Sequence, residues 1–244
     1  MSCIIRNNAN RSNDIKTQKN TVTVKETVQD GNYSIGFYSY EKKIRNKTKK
    51  CWIPFVDFAS LETTDEINKI LFDSATKWMK YDFVSSVAKR ERPVIRCHNE
   101  RYLSIELSYC TYTNRSCEVC NYITIDLKRK KRIFLKDIVD KKTIIKKMSE
   151  GTDVYAKERA VLEENENEKA TLNLRESLKK DSVTELEEMV DECSLDEGQF
   201  PFALDDKWRG LVNKSGFYIQ GNILVIDDAR MRQHSKIIIK NVIN

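Results

Sequence analysis

Seven glycines, three prolines and two histidines are all that 244 residues supply of those types, and these scarcities remove whole classes of protein. With so few glycines there is neither a G-x-x-x-x-G-K nor a G-x-G-x-x-G pattern, so the usual phosphate-cradling loops are excluded. With only His98 and His234, general acid–base chemistry has few candidates. Neither histidine lies in a nucleophile or metalloprotease pattern, and both are expected at the surface. No window holds 18 consecutive apolar residues, so no segment reads as a membrane-spanning helix. The first ten residues hold too few apolar side chains for the core of a signal peptide. The chain is therefore expected outside the cytoplasm or at the cell surface if an export segment has been trimmed, and in the cytoplasm otherwise.

What is present is an ordinary globular share of apolar residues, 40%, beside an unusually charged remainder, 33%. The net charge of +6 conceals a division. Residues 1–149 carry 30 basic against 17 acidic side chains, whereas residues 150–197 carry 6 against 16. Such a split reads as neighbouring surfaces that neutralise each other, or as a solvated acidic helix, before it reads as a nucleic-acid footprint. Seven cysteines in a chain of this length do not make a disulfide framework, although one or two bridges remain open.

Hydrophobic periodicity predicts an α+β protein of antiparallel sheets covered by a helix at about 63–88 and by acidic helices at about 152–193. Residues 1–20 read as a flexible leader, 21–96 as an N-terminal α+β module and 97–244 as a C-terminal α+β module. Alternation over 21–28 and 33–40 around Asp30-Gly31-Asn32 predicts a hairpin. The lysine-rich run 42–50 is expected to be an exposed loop, and Pro54 confines the apolar stretch after it to a sheet edge or an irregular crossing. Thr63 or Thr64 can cap the first helix, whose stripe is Ile67, Ile70, Leu71, Ala75, Trp78 and Met79. Residues 102–112 and 122–127 each place Leu or Ile on one face and polar side chains on the other, as half-buried strands with one wet face do. Thr152 or Asp153 can open the acidic helices after Gly151 stops the segment carrying Ile144, Ile145 and Met148. Ser182 with Glu185 forms a capping box. Four strands follow, at 199–204, 216–219, 223–226 and 236–243.

Chemistry has few footholds. Cys117-Glu-Val-Cys120 has the spacing of a metal knuckle, and Cys97 and His98, or Cys110, could complete the four N/S donors that zinc prefers. A zinc site, a loop-closing disulfide and free thiols in a hairpin loop are all open at this point. Asp205-Asp206 and Asp227-Asp228 could hold a divalent cation, or serve as turn residues bonded to their own backbone. Lys128, Arg129, Lys130, Lys131 and Arg132 form a solvated basic turn that could bind an anionic surface. Interleaved with Phe134, and together with 42–50 beside Tyr38, Tyr40 and Trp52, they are also the minimum for a phosphate-tracking surface. No cofactor is called for.

The order of these pieces resembles the extracytoplasmic region shared by RsiV-type anti-sigma factors and PdaC-type peptidoglycan deacetylases, a pair of small α+β modules. The matching residues are the early hairpin, Ile53-Pro-Phe before Glu66-Ile-Asn-Lys-Ile-Leu, Tyr102-Leu-Ser-Ile, Tyr122-Ile-Thr-Ile-Asp-Leu with its basic turn, Leu135-Lys-Asp-Ile-Val, Phe217-Tyr-Ile and Leu224-Val-Ile. Where that family has a Gly- and His-containing loop, this chain has 113–120, and no functional residue carries over. The resemblance implies a non-enzymatic binding or sensing module at a bacterial cell surface, with a protein or a cell-wall polymer as partner. The alternative is a cytoplasmic nucleic-acid-associated protein using the basic N-terminal half. Oligomeric state is not legible.

Overall fold

The computed structural model describes residues 27–30, 33–44, 47–80, 93–112, 116–157, 168–194, 203–205, 210–212, 215–227 and 236–243. The leader at 1–20 and His234 lie outside them. The class is α+β, with antiparallel sheets and four α-helices among the described residues.

β1 (Thr27–Asp30), β2 (Tyr33–Ile44) and β3 (Lys47–Phe58) form a meander in that order. The β2–β3 ladder runs from Tyr33 opposite Phe58 to Ile44 opposite Lys47. The lysine run expected as a loop is therefore mostly ladder. Its like charges are tolerated because Glu41 pairs with Lys50 and because Lys49 turns inward, where its ammonium donates to the Met79 carbonyl at 2.8 Å. Pro54 sits on β3 at the sheet edge, the place a residue without an N–H permits.

α1 (Leu61–Thr76) is capped by Ser60 rather than Thr63 or Thr64. Thr64 has another task. Its hydroxyl accepts from the Phe58 N–H at 3.0 Å, and one turn on Asn68 brackets Val56, accepting from its N–H at 2.7 Å and donating to its carbonyl at 2.8 Å. The helix thus satisfies the outward-facing backbone of an edge strand that would otherwise invite another chain. Asn68→Ala should lower stability by about 1–3 kcal/mol, read as a fall in urea midpoint with the slope unchanged. A short 3-10 turn, Lys77–Lys80, follows α1, and the expected extension toward 88 lies outside the described residues.

The second sheet has the order β4 (Val94–His98), β5 (Tyr102–Tyr112), β6 (Ser116–Asp126), β7 (Lys131–Arg132). Leu103, Ile105, Leu107, Ile123 and Ile125 meet Ile35, Phe37, Ile53, Val56, Ile67 and Leu71 in the first core. That core runs from Tyr33 to Leu127, across the module boundary placed at 96 from sequence, and the second begins only at Leu135.

α2 (Lys141–Glu150) begins at its Asp140 cap and stops at Gly151, which takes a left-handed φ of 68°. Helix does not resume at 152, as the sequence reading had it. Asp153 is again left-handed at φ 56°, and 154–157 form β8 (Val154–Lys157), paired with the last strand. Two positive φ angles in three residues break the helical path, and Val-Tyr-Ala-Lys is free to alternate as a strand. The acidic helices are α3 (Glu168–Lys180) and α4 (Val183–Glu192), the latter opened by the Ser182/Glu185 capping box. After the ribbon β9 (Ala203–Asp205) and β10 (Gly210–Val212) come β11 (Gly216–Gln220), β12 (Ile223–Asp227) and β13 (Lys236–Ile239), in a sheet ordered β11-β12-β13-β8. Phe217, Leu224, Ile226, Ile237 and Ile239 on this sheet, with apolar residues of α2, α3 and α4, form the second core. At its β8 edge the device of α1 recurs: Thr171 accepts from the Ala156 N–H at 3.0 Å and Arg175 donates to the Val154 carbonyl at 2.8 Å. Among the described residues no helix is long and apolar enough to cross a membrane.

Candidate functional site

The polar faces of β5 and β6, expected to be wet, are dry. Tyr102, Ser104, Glu106, Tyr122, Thr124 and Asp126 are all buried, because the sheet carrying β11 to β13 packs onto that face. Alternation on two antiparallel strands was read correctly as two faces, but which face meets solvent is decided by a partner sheet more than 90 residues downstream.

At the centre of this seam a row of the third sheet, Gly216, Asp227 and Lys236, lies against a row of the second, Glu106 and Tyr122. The Glu106 carboxylate receives Arg96 from β4, Nε at 2.8 Å and a second nitrogen at 2.7 Å, and Lys236 Nζ at 2.9 Å, all on one oxygen. Tyr122 donates its hydroxyl to Asp227 at 2.5 Å and stacks on Tyr218 with ring centroids 5.3 Å apart. The Lys236 ammonium lies 5.0 Å from the Tyr218 ring centre and 5.3 Å from that of Tyr122, while Arg96 lies 5.3 Å from Tyr218, so both cations also face aromatic π-clouds. Deeper in, Ser104 and Thr124 share a hydroxyl hydrogen bond of 3.0 Å, and the Ile219 N–H donates across the seam to Ser104 Oγ at 3.2 Å. Gly216 permits the approach. A Cβ there would stand 2.7 Å from the Tyr122 ring.

Electrostatics fix the protonation. Burial alone would raise the Glu106 carboxyl, but Lys236 and then Arg96 outweigh it and hold the group below its usual value. A carboxylate held ionised by two cations is a poor general acid. The arrangement can clamp two sheets. Because the folded value is depressed, the stability Glu106 contributes is present above the unfolded glutamate value of about 4.3 and is lost as pH falls through the lower folded value. Urea midpoints measured down an acid series should fall more steeply for the parent chain than for Glu106→Gln.

Of the candidate site residues singled out from sequence, Asp227 joins this cluster, by accepting the Tyr122 hydroxyl. Cys117 and Cys120 lie on β6 rather than in a hairpin loop. Cys97 and His98 lie on β4, and Cys97 is opposite Ser104, itself opposite Thr124. Cys120 is four residues along β6 from Thr124, about 13 Å at strand rise, so the fold does not gather the four proposed ligands. Cys51, Cys97 and Cys193 are buried free thiols, with Cys97 pushed up by burial. Among the described residues no three His, Cys, Asp or Glu side chains are grouped as metal ligands are.

The basic run is broken up by its own turn. Arg129 reaches Asp126 at 3.7 Å, Lys130 reaches Glu66 on α1 at 3.0 Å, and Arg132 turns inward to Ser74 and the Tyr122 carbonyl, each at 3.4 Å. Lys128 and Lys131 are exposed. Asp227, considered for a cation, accepts the Tyr122 hydroxyl instead. Glu106, Tyr122, Tyr218 and Lys236 were not legible as a group. The one local signal is Lys236 at the head of Ile-Ile-Ile, a cation entering a run of buried strand.

No family model and no curated protein matches the chain. A crystal structure of a DUF3298-family member from Bacteroides fragilis aligns over 92% of each chain with a TM-score of 0.41 and 9% sequence identity.

Proposed function

We propose that the chain is a non-enzymatic binding or sensing module working at a bacterial cell surface, with a protein or a cell-wall polymer as its partner. The observation that carries the reading is the fate of the ionisable groups in the seam. Glu106, Arg96, Lys236, Asp227 and Tyr122 satisfy one another between two sheets, which suits holding a shape and does not suit turning over a substrate. The surface location rests on the order of motifs from the early hairpin to Leu224-Val-Ile, which resembles the paired extracytoplasmic modules.

The nucleic-acid alternative loses ground on geometry. Of the five cations at 128–132, Arg129 and Lys130 are paired with carboxylates and Arg132 packs inward, so these five do not form a continuous row of charge for a phosphate backbone to follow. Fractionation of a bacterium expressing the native gene tests the reading. Recovery with the envelope, with cleavage by protease added to intact cells, is the expected result. Recovery in the cytosol, with binding to duplex DNA that weakens steeply as salt is added, would overturn it.

A further inference from the structure

The ladder of β5 and β6 puts three metal-ligating residue types on one face. Residues 108–112 and 116–120 are described by their place in that ladder, and the absence of grouped metal ligands concerns side chains outside this stretch. Faces alternate along a strand. Cys117 and Cys120, three apart, therefore fall on opposite faces of β6, which breaks the knuckle their spacing suggests. Cys110 takes the place of Cys117. It stands opposite Glu118, and Cys120 stands opposite Ser108, so Cys110, Glu118 and Cys120 occupy the two rows that follow Glu106 and Tyr122 on the same face. Gly216 at the start of β11 lies against Tyr122, and Ile219 lies against Ser104, so β11 runs away from these two rows.

The register also sets the separations. Directly opposite residues such as Cys110 and Glu118 have α-carbons about 4.5–5.5 Å apart. Glu118 and Cys120, two apart on one strand, are separated by about 7 Å, and the diagonal from Cys110 to Cys120 spans about 7–8 Å. A disulfide needs α-carbons within about 6.8 Å, which the diagonal exceeds. Two thiolates on one zinc stand about 3.8 Å apart at Zn–S bonds of about 2.3 Å, nearly twice the length of an S–S bond, and that longer bridge suits the diagonal. Two donors at alternate positions of one strand and a third from its neighbour supply three corners of a tetrahedron, with the fourth left to water.

The ribbon has a use for such an ion. Among the described residues β4 pairs with β5 only over 103–106, and β7 pairs with β6 only over 125–126. Residues 107–112 and 116–121 pair only with each other, and a two-stranded ribbon is at best marginally stable in water. We propose that Cys110, Glu118 and Cys120, brought to one face of this ribbon by its register, hold a zinc ion that ties the two strands together. The thiols lose their protons to solvent as the metal binds. The site does not depend on the binding partner or location proposed above.

Cobalt titration of the full chain, kept reduced by a phosphine, tests the site. Thiolate-to-cobalt charge-transfer absorption counts the sulfur ligands, and displacement of cobalt by zinc gives the zinc affinity. The parent chain should bind one equivalent with the absorption of two thiolates. Cys110→Ser and Cys120→Ser should each halve that absorption and weaken zinc binding by at least about 100-fold, more than the loss of an outer-shell partner usually costs. Glu118→Gln should weaken it by at least about tenfold, and Cys117→Ser should leave it within about twofold. The thiolate count of the parent chain needs no variant to fold. No bound equivalent, a count other than two, or a loss in Cys117→Ser as large as that in Cys120→Ser would overturn the site.

Discussion

Glu106→Ala is expected to destabilise the protein by about 3–5 kcal/mol, the range found when one partner of a buried ion pair is removed. The magnitude follows from what remains. Arg96 and Lys236, the latter with 3% of its side chain exposed, would keep their places between the sheets without the oxygen they share, and desolvation of those cations would go unopposed. Replacing the carboxylate by an amide of the same shape in Glu106→Gln should cost less, because an acceptor oxygen stays in position. Adding Lys236→Met to Glu106→Gln should restore part of the loss, because it deletes one of the stranded charges. Urea unfolding of Glu106→Gln, Lys236→Met and the variant carrying both gives the coupling directly. A Glu106→Ala variant within about 0.5 kcal/mol of the parent would show the seam to be solvated.

Leu71→Ala is expected to cost about 2–5 kcal/mol, the span for truncating a fully buried leucine. Leu71 lies on α1 with no exposed surface, in the core where β2 and β3 meet β5 and β6. Its loss would leave a cavity that three backbone layers cannot close without moving together. Leu172 on α3 is the control. It is 60% exposed, and Leu172→Ala should change stability by no more than about 0.5 kcal/mol. Both are leucines on helices, so only burial separates them.

The features legible in the sequence were those with short-range causes. The α+β class came from alternation at period two in residues 102–107 and 122–127 and from the stripe of Ile67, Leu71 and Ala75, and the capping box at Ser182 and Glu185 came from two residues three apart. Features that depend on distant partners were not legible. Residues 154–157 form a strand because Ile237 and Ile239 pair with Ala156 and Val154 from 80 or more positions away, and nothing within Val-Tyr-Ala-Lys announces that. The seam failed to show for the same reason. Glu106 and Lys236 are 130 residues apart, and a glutamate alternating with isoleucine and leucine on a strand is the ordinary signature of a wet face. Two basic stretches looked like surface because lysine usually is, yet Lys49 and Arg132 have specific acceptors inside. The Cys117 and Cys120 pair suggested a loop because metal knuckles favour loops, whereas the β5–β6 ladder carries Cys117 opposite Thr111 and Cys120 opposite Ser108.

The polar face of the second sheet is covered by the third. Proton NMR of Gly216 is the decisive test, because a Cβ at that position would stand 2.7 Å from the edge of the Tyr122 ring and the glycine hydrogen occupying its direction must lie close to the ring protons. A strong nuclear Overhauser cross-peak between a Gly216 Hα and the Tyr122 ring protons is expected. Absence of that cross-peak in the folded protein would place water between the sheets and contradict the packing.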